Sequence, residues 1–143
     1  MDVPQLLSHV SLVSPMTSSR EIVQAPGAPA AIGPYSHAVS AAGLLFCSGQ
    51  IPLDPATGEL MGDTPAEQAR RCLENLSAVC GAAGATLQRA VRVTIYMTDL
   101  AAFAEVNDLY GGFFDDEPPA RVTVGVAQLP KGAQVEIDAI VAL

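Results

Sequence analysis

The strongest constraint on this chain is a change of period along it. Thr64-Pro65-Ala66-Glu67 reads as a capping box, with Thr64 as N-cap, Pro65 in the first helical position and Glu67 reaching back. Ala69, Cys72, Leu73, Leu76, Val79, Cys80 and Ala83 then recur at helical spacing until Gly84 can end the helix. Gln68, Arg71, Glu74 and Asn75 fall off that stripe, and Arg70 sits at its edge with its stem over apolar surface. A second helix, capped by Thr98 or Asp99, carries the stripe Phe103, Val106, Tyr110, Phe113 and Phe114. Around these two helices the apolar residues alternate every second position. Glu21 to Gln24, Tyr35 to Ala41, Leu44 to Ser48 and Val91 to Met97 read as strands, with a tight turn at Ala42-Gly43 and a turn cluster at Asp54 to Gly58. With two more strands at the C-terminal end, the order is β-β-β-α-β-α-β-β. Such an order predicts a single α+β domain, a mixed sheet with both helices on one face. The other face, partly apolar and uncovered, is expected to meet another subunit.

Those last two strands carry the charges of most interest. Val122, Val124 and Val126 alternate with Arg121, Thr123 and Gly125, and Val135, Ile137 and Ala139 alternate with Glu136 and Asp138. Leu129-Pro130-Lys131-Gly132 supplies turn chemistry between them, which predicts a hairpin. With a loop of Gln128 to Lys131, Thr123 faces Glu136 and Arg121 faces Asp138. Arg121 and Glu136 then share a sheet face as diagonal neighbours. A guanidinium fork suits two-point capture of a carboxylate, and a carboxylate can hold or deprotonate a water. The same two residues fit a structural ion pair closing the sheet equally well.

Composition excludes several classes. The chain has 143 residues, a size for one domain with a proper core. Its net charge is −8 with seven scattered Lys and Arg, so there is no basic stripe to neutralise phosphates, and neither nucleic acid nor an anionic membrane surface is an expected partner. Cys47, Cys72 and Cys80 form no metal or disulfide spacing and read as buried small hydrophobes, which points to a reducing compartment. With only His9 and His37, a metal site built on imidazole is not expected. No run approaches the roughly twenty apolar residues of a membrane span. Residues 1–15 lack the features of a signal peptide, and Met16-Thr17-Ser18-Ser19-Arg20 resembles a natural start. Residues 1–18 are therefore read as a loosely ordered tail or an over-long start, and 19–143 as the domain.

Several motifs in register carry a family resemblance. They are Ile32-Gly33-Pro34-Tyr35-Ser36-His37-Ala38-Val39, Cys47-Ser48-Gly49-Gln50-Ile51-Pro52 with the Asp54 to Gly58 turn, and Asp99-Leu100 with Phe103, Val106-Asn107, Tyr110 and Phe113-Phe114. Pro119-Ala120-Arg121 and Leu129-Pro130-Lys131-Gly132 to Val135-Glu136-Ile137 complete the set. From about Glu21 to Leu143 the chain resembles the reactive-intermediate deaminase family, also called RidA or YjgF/YER057c/UK114. The resemblance implies a cytoplasmic homotrimer of chorismate-mutase-like fold with sites in clefts between subunits. It implies hydrolysis of 2-iminobutanoate, 2-iminopropanoate and their enamines to 2-keto acids and ammonia, without metal or organic cofactor, which protects pyridoxal-phosphate enzymes.

Carried over by position, Arg121 binds the substrate carboxylate and Glu136 attends the water. Tyr35 is the cleft tyrosine, and Ser48, Gly49 and Asn107 line the pocket. Gly49 and Tyr35 are expected to close the cleft from a neighbouring subunit. Thr123 stands where some bacterial members have a cysteine, and offers a hydroxyl in its place. His37 takes a position often held by glutamine, either as a titrating group near the cleft or as a core-edge residue. Each of these residues also has a plain structural reading. Tyr35 can close a turn, Ser48 can bond its own strand, Gly49 can serve a backbone angle and Asn107 can face solvent. Two other functions share the pattern: a trimeric carboxylate-binding module without turnover, and a ribonuclease or translation inhibitor.

Overall fold

The structure, a computed structural model, describes residues 19–143; the segment expected to be a tail, residues 1–18, lies outside them. Six strands form one sheet in the order β1-β2-β3-β6-β4-β5. They are β1 (Arg20–Val23), β2 (Ala38–Ala41), β3 (Leu44–Gln50), β4 (Ala90–Met97), β5 (Ala120–Gly125) and β6 (Val135–Ala142). Two helices, α1 (Pro65–Ala82) and α2 (Phe103–Gly111), follow β3 and β4 respectively. The element order and the mixed sheet agree with expectation.

Local chemistry explains the clearest boundaries. The Thr64 hydroxyl accepts from the Glu67 N–H at 3.2 Å while Glu67 accepts from the Thr64 N–H, so the capping box forms in both directions. Ala42 and Gly43 both adopt positive φ, 53° and 77°, the pair of angles a two-residue hairpin turn needs between β2 and β3. Asp99 accepts from the Ala101 N–H at 2.9 Å and caps a short 3₁₀ turn, Leu100–Ala102, that runs into α2.

One face of the sheet is covered. Leu45, Val93, Ile95, Ile137, Ala139 and Val141 pack with Ala69, Cys72, Leu73, Leu76, Val79 and Cys80 of α1 and with Val106 and Tyr110 of α2. All three cysteines are buried and free. Arg70 lies at the stripe's edge, its guanidinium 5.9 Å from the centre of the Phe113 ring. Gln68 and Asn75, expected off the stripe, are instead buried at 4% and 1% exposure. Each is satisfied: the Asn75 amide donates to the carbonyls of Leu53 (3.0 Å) and Ile51 (3.4 Å), and Gln68 bridges Gly62 and Gln134. A helical stripe is wider than its apolar residues when loops must be held to it.

The expected C-terminal hairpin does not form. β5 pairs in parallel with β4, Val93 opposite Arg121 and Ile95 opposite Thr123. β6 lies antiparallel between β3 and β4, with Tyr96 opposite Glu136 and Thr94 opposite Asp138. Two forces override the local turn signal. α2 provides the crossover that a parallel β4–β5 pair requires. β6 is apolar along most of its length and every second residue is fully buried, which suits a central strand, whereas β5 is mostly exposed and takes the edge. Lys131 and Gly132 do adopt left-handed angles, but the turn they make redirects the chain across β4.

Candidate functional site

The sheet order sends the two singled-out charges to opposite faces. Arg121 shares its face with Val93, which is the helix-covered side. Glu136 shares its face with Tyr96, the open side, and β4 stands between them. The diagonal-neighbour geometry is therefore wrong, and so is the ion pair that the same geometry offered. Among the described residues the one side-chain ion pair is Arg71 with Glu74, at 3.3 Å.

Glu136 stands in a cleft of about 330 Å³ with Tyr35, Ser48 and Gly49. The far wall is apolar: Pro29, Ala30, Ile32, Ile51, Leu53 and Pro130. A β-bulge builds the near wall. Between Cys47 and Gln50 strand β3 spends one residue more than β6 does between Ala139 and Ile137, and Ser48-Gly49 fall in that irregularity. The Ser48 hydroxyl donates to the Ser36 carbonyl at 2.6 Å, so it is engaged with its neighbouring strand end. Gly49 lies so close to Glu136 that a Cβ there would run into carboxylate Oε2 and come within 3.1 Å of Cδ. Only glycine admits the carboxylate at this place. The Tyr35 ring is 44% exposed, and its hydroxyl accepts from the Ile32 N–H at 3.3 Å.

The electrostatics of Glu136 follow from that setting. Burial raises its pKa above the usual 4.5, and the negative charge of Asp138, two residues along the same face, raises it further. Asp138 in turn accepts from the Tyr96 hydroxyl at 2.9 Å. The carboxyl group therefore gains and releases a proton closer to neutrality than an ordinary glutamate does.

Arg121 belongs to a second, separate cluster. Its Nη1 donates to Asn107 Oδ1 at 2.8 Å, and its guanidinium lies 4.9 Å from the Tyr110 ring centre and 5.6 Å from that of Phe103. One amide and two aromatic faces from α2 thus fix the plane of the fork. Much of the guanidinium remains open towards a shallow surface patch shared with Leu100, Phe103 and Thr123. The Thr123 and Tyr110 hydroxyls are buried without a hydrogen-bond partner among the described residues. Desolvation raises the Tyr110 pKa, with Arg121 pulling the other way, so that phenol keeps its proton.

The seven residues named from sequence thus divide in two. Tyr35, Ser48, Gly49 and Glu136 meet in the cleft; Arg121, Thr123 and Asn107 meet at the patch. Gly49 and Tyr35 stand beside Glu136 within one chain, which corrects the expectation that they reach the cleft from another. Sequence reasoning missed the apolar wall, the aromatic platform under Arg121, and Asp138 as the charge that tunes Glu136. The platform was read as core. Asp138 was visible, since residues two apart on a strand share a face.

The profile of the endoribonuclease L-PSP family matches residues 25–143. The RutC family protein y4sK of Sinorhizobium fredii is 49% identical over 123 residues, covering 86% of this chain and 98% of that protein. The 2-iminobutanoate/2-iminopropanoate deaminase of Bos taurus is 43% identical over 121 residues, covering 85% and 88%. The crystal structure of E. coli TdcF with bound serine superposes with a TM-score of 0.81 at 42% identity, covering 86% and 98%.

Proposed function

The chain belongs to the endoribonuclease L-PSP family, also called YjgF/RidA, and from that premise we propose that it hydrolyses small 2-imino acids, such as 2-iminobutanoate and 2-iminopropanoate, to 2-keto acids and ammonia. The observation that carries the reading is Glu136: a carboxylate with no ion-pair partner among the described residues, set against Gly49 in an apolar-walled cleft, with its proton affinity raised. The deaminase name of the bovine relative supports the reaction class, and a relative that holds serine supports a ligand of that size and charge.

The chemistry is short. Arg121 binds the substrate carboxylate through its open edge and so orients the imine carbon. A water held by Glu136 attacks that carbon, and Glu136 takes the proton the water loses. The same proton passes to the nitrogen of the tetrahedral adduct. The adduct's hydroxyl then gives its proton to Glu136, which hands it to the departing nitrogen, so that the carbon–nitrogen bond breaks, ammonia leaves and the oxygen closes to the ketone. Tyr35, in the cleft beside Glu136, is the candidate to bond the substrate's polar atoms, while Ser48 and Asn107 hold Gly49 and Arg121 in place.

Because Arg121 and Glu136 lie on opposite faces of one sheet, a single substrate reaches both only if the patch of one subunit is set against the cleft of another. A homotrimer with sites between subunits supplies that arrangement, and the partly apolar open face, with Phe46 and Val122 exposed at 44% and 37%, supports association. Light scattering that gave a monomer at micromolar concentrations would remove this composite site.

The test is a coupled assay. A pyridoxal-phosphate threonine dehydratase generates 2-iminobutanoate, and addition of this protein should shorten the life of the transient imine while ammonia is released over many turnovers. A module that only binds carboxylates gives 2-ketobutyrate binding and no acceleration. The family's ribonuclease designation makes RNA the control substrate; with net charge −8 and seven dispersed cations the chain is expected to leave it intact.

A further inference from the structure

Behind the cleft wall stands a polar side chain that the proposed chemistry does not use. His37 is only 6% exposed, yet both ring nitrogens are engaged with the backbone of residues 25–34. The Ala25 N–H donates to Nδ1 at 2.9 Å, and Nε2 lies 2.8 Å from the Pro29 carbonyl oxygen. Accepting at Nδ1 leaves Nε2 to carry the ring hydrogen and donate it, so one tautomer satisfies both partners. The backbone of the same residue faces the other way, its carbonyl accepting from the Ser48 N–H at 3.0 Å.

What His37 joins is specific. Residues 25–34 form no strand or helix, and their internal backbone bonding includes the Ala28 N–H to the Ala25 carbonyl at 3.1 Å. Pro29, Ala30 and Ile32 of this segment nevertheless make one wall of the cleft. Ser48 begins the bulge that brings Gly49 against Glu136. A single imidazole therefore ties the irregular wall to the strand end that sets the carboxylate. Of the two ring partners, Pro29 lines the cleft and Ala25 is anchored in the core, so the imidazole pins the wall segment to the body of the domain.

We propose that His37 is a positioning residue, an Nε2-protonated imidazole that clasps the wall segment to β3 and so fixes the width of the cleft beside Glu136. The proposal rests on the reading of that cleft as the place where the imine is hydrolysed. His37→Ala should free the wall while leaving the acid–base group in place. His37→Gln should largely restore it, because its amide accepts through Oε1 and donates through Nε2.

The experiment compares the full-length wild type with both variants by three measurements: ring ¹⁵N shifts, amide hydrogen exchange, and steady-state hydrolysis of 2-iminobutanoate. The wild-type ring should show the Nε2-protonated tautomer, assigned by its loss in His37→Gln. In His37→Ala, exchange within residues 25–34 should quicken about tenfold or more while β6 stays protected. KM should rise about fivefold with kcat within about twofold, and His37→Gln should recover most of both. An Nδ1-protonated ring, unchanged exchange in His37→Ala, or exchange that rises equally in β6 would overturn the clasp. If the wild type fails to hydrolyse the imine, the deaminase reading falls, whereas exchange and tautomer still decide whether His37 holds the wall.

Discussion

The cleft around Glu136 and the patch around Arg121 are built on opposite principles. The patch is assembled from regular elements: β5 presents the guanidinium, and α2 supplies an amide and two aromatic rings that hold its plane. The cleft is assembled from irregular ones, namely a bulge, a coil segment and a turn, with buried polar side chains bonding their backbones from behind. A cation can be left in water and oriented by packing alone. A carboxylate whose proton affinity is raised by burial has to be partly dried, which takes walls, and walls at the end of a sheet are made of loops. The two regions lie on opposite faces of the sheet, with β4 between Arg121 and Glu136, which is why the comparison can be attacked from each side separately.

The largest effect is expected at the carboxylate. Glu136→Gln should lower imine turnover by about a hundredfold or more, the usual weight of a general base, with binding of 2-ketobutyrate nearly intact. Stability should not suffer, since no ion pair with Arg121 is lost. If melting temperature and ligand binding fall together, the carboxylate is holding the structure and the assignment is wrong. Arg121→Lys keeps the charge but loses the planar fork. Its activity should drop at least about tenfold, in line with about 1.5–3 kcal/mol for a charge-assisted hydrogen bond. Refolding the two variants together sharpens the comparison. Mixed oligomers should regain about a quarter of wild-type activity if each site takes its arginine and glutamate from different subunits. No recovery would mean that the two halves do not meet between copies.

A smaller effect is expected from Gly49→Ala. The new Cβ displaces the Glu136 carboxylate, whose flexible end can move, so the protein should fold and lose turnover about tenfold while retaining affinity for 2-ketobutyrate. Unchanged turnover would show that the close approach is incidental. The smallest effects lie in the pH profiles. With its folded pKa raised above the usual 4.5, Glu136 binds its proton more tightly in the native state than in the unfolded chain. Its contribution to stability is therefore fully present below 4.5 and is lost as pH rises through the raised value, the opposite of an ion-paired carboxylate. The acid limb of kcat/KM should lie above 4.5 for the same reason. Asp138→Asn removes the second cause of the shift and should move that limb to lower pH, while burial keeps the rest. A limb that stays put would leave desolvation as the whole cause.

Much of this was legible in the chain. The capping box at Thr64, the Ala42-Gly43 turn and the alternation of β4 to β6 are local signals, and each produced the element it specified. What alternation does not specify is the neighbour. Arg121 and Glu136 were each placed correctly within a strand, but their relative faces depend on which strand lies between, and that is decided by pairing across distant sequence. Tyr110 shows a similar limit: its helical spacing marks it as core, which it is, while its ring also supports Arg121. For Gln68 and Asn75 the pattern misled because a buried amide bonded to loop carbonyls looks, in sequence, like a residue facing water.

The position of β6 also governs when the protein can come into being. It follows the other five strands in sequence, and it is the one that joins β3 to β4. Until it is made, the nascent chain can hold at most two incomplete pieces, the β1-β2-β3 meander and the β4-α2-β5 unit, each with an unpaired strand edge. Glu136 arrives on the same strand that closes the gap. Synthesis of β6 therefore joins the two parts of the sheet and brings Glu136 against Gly49 in one step, and a chain that stops before Val135 has neither.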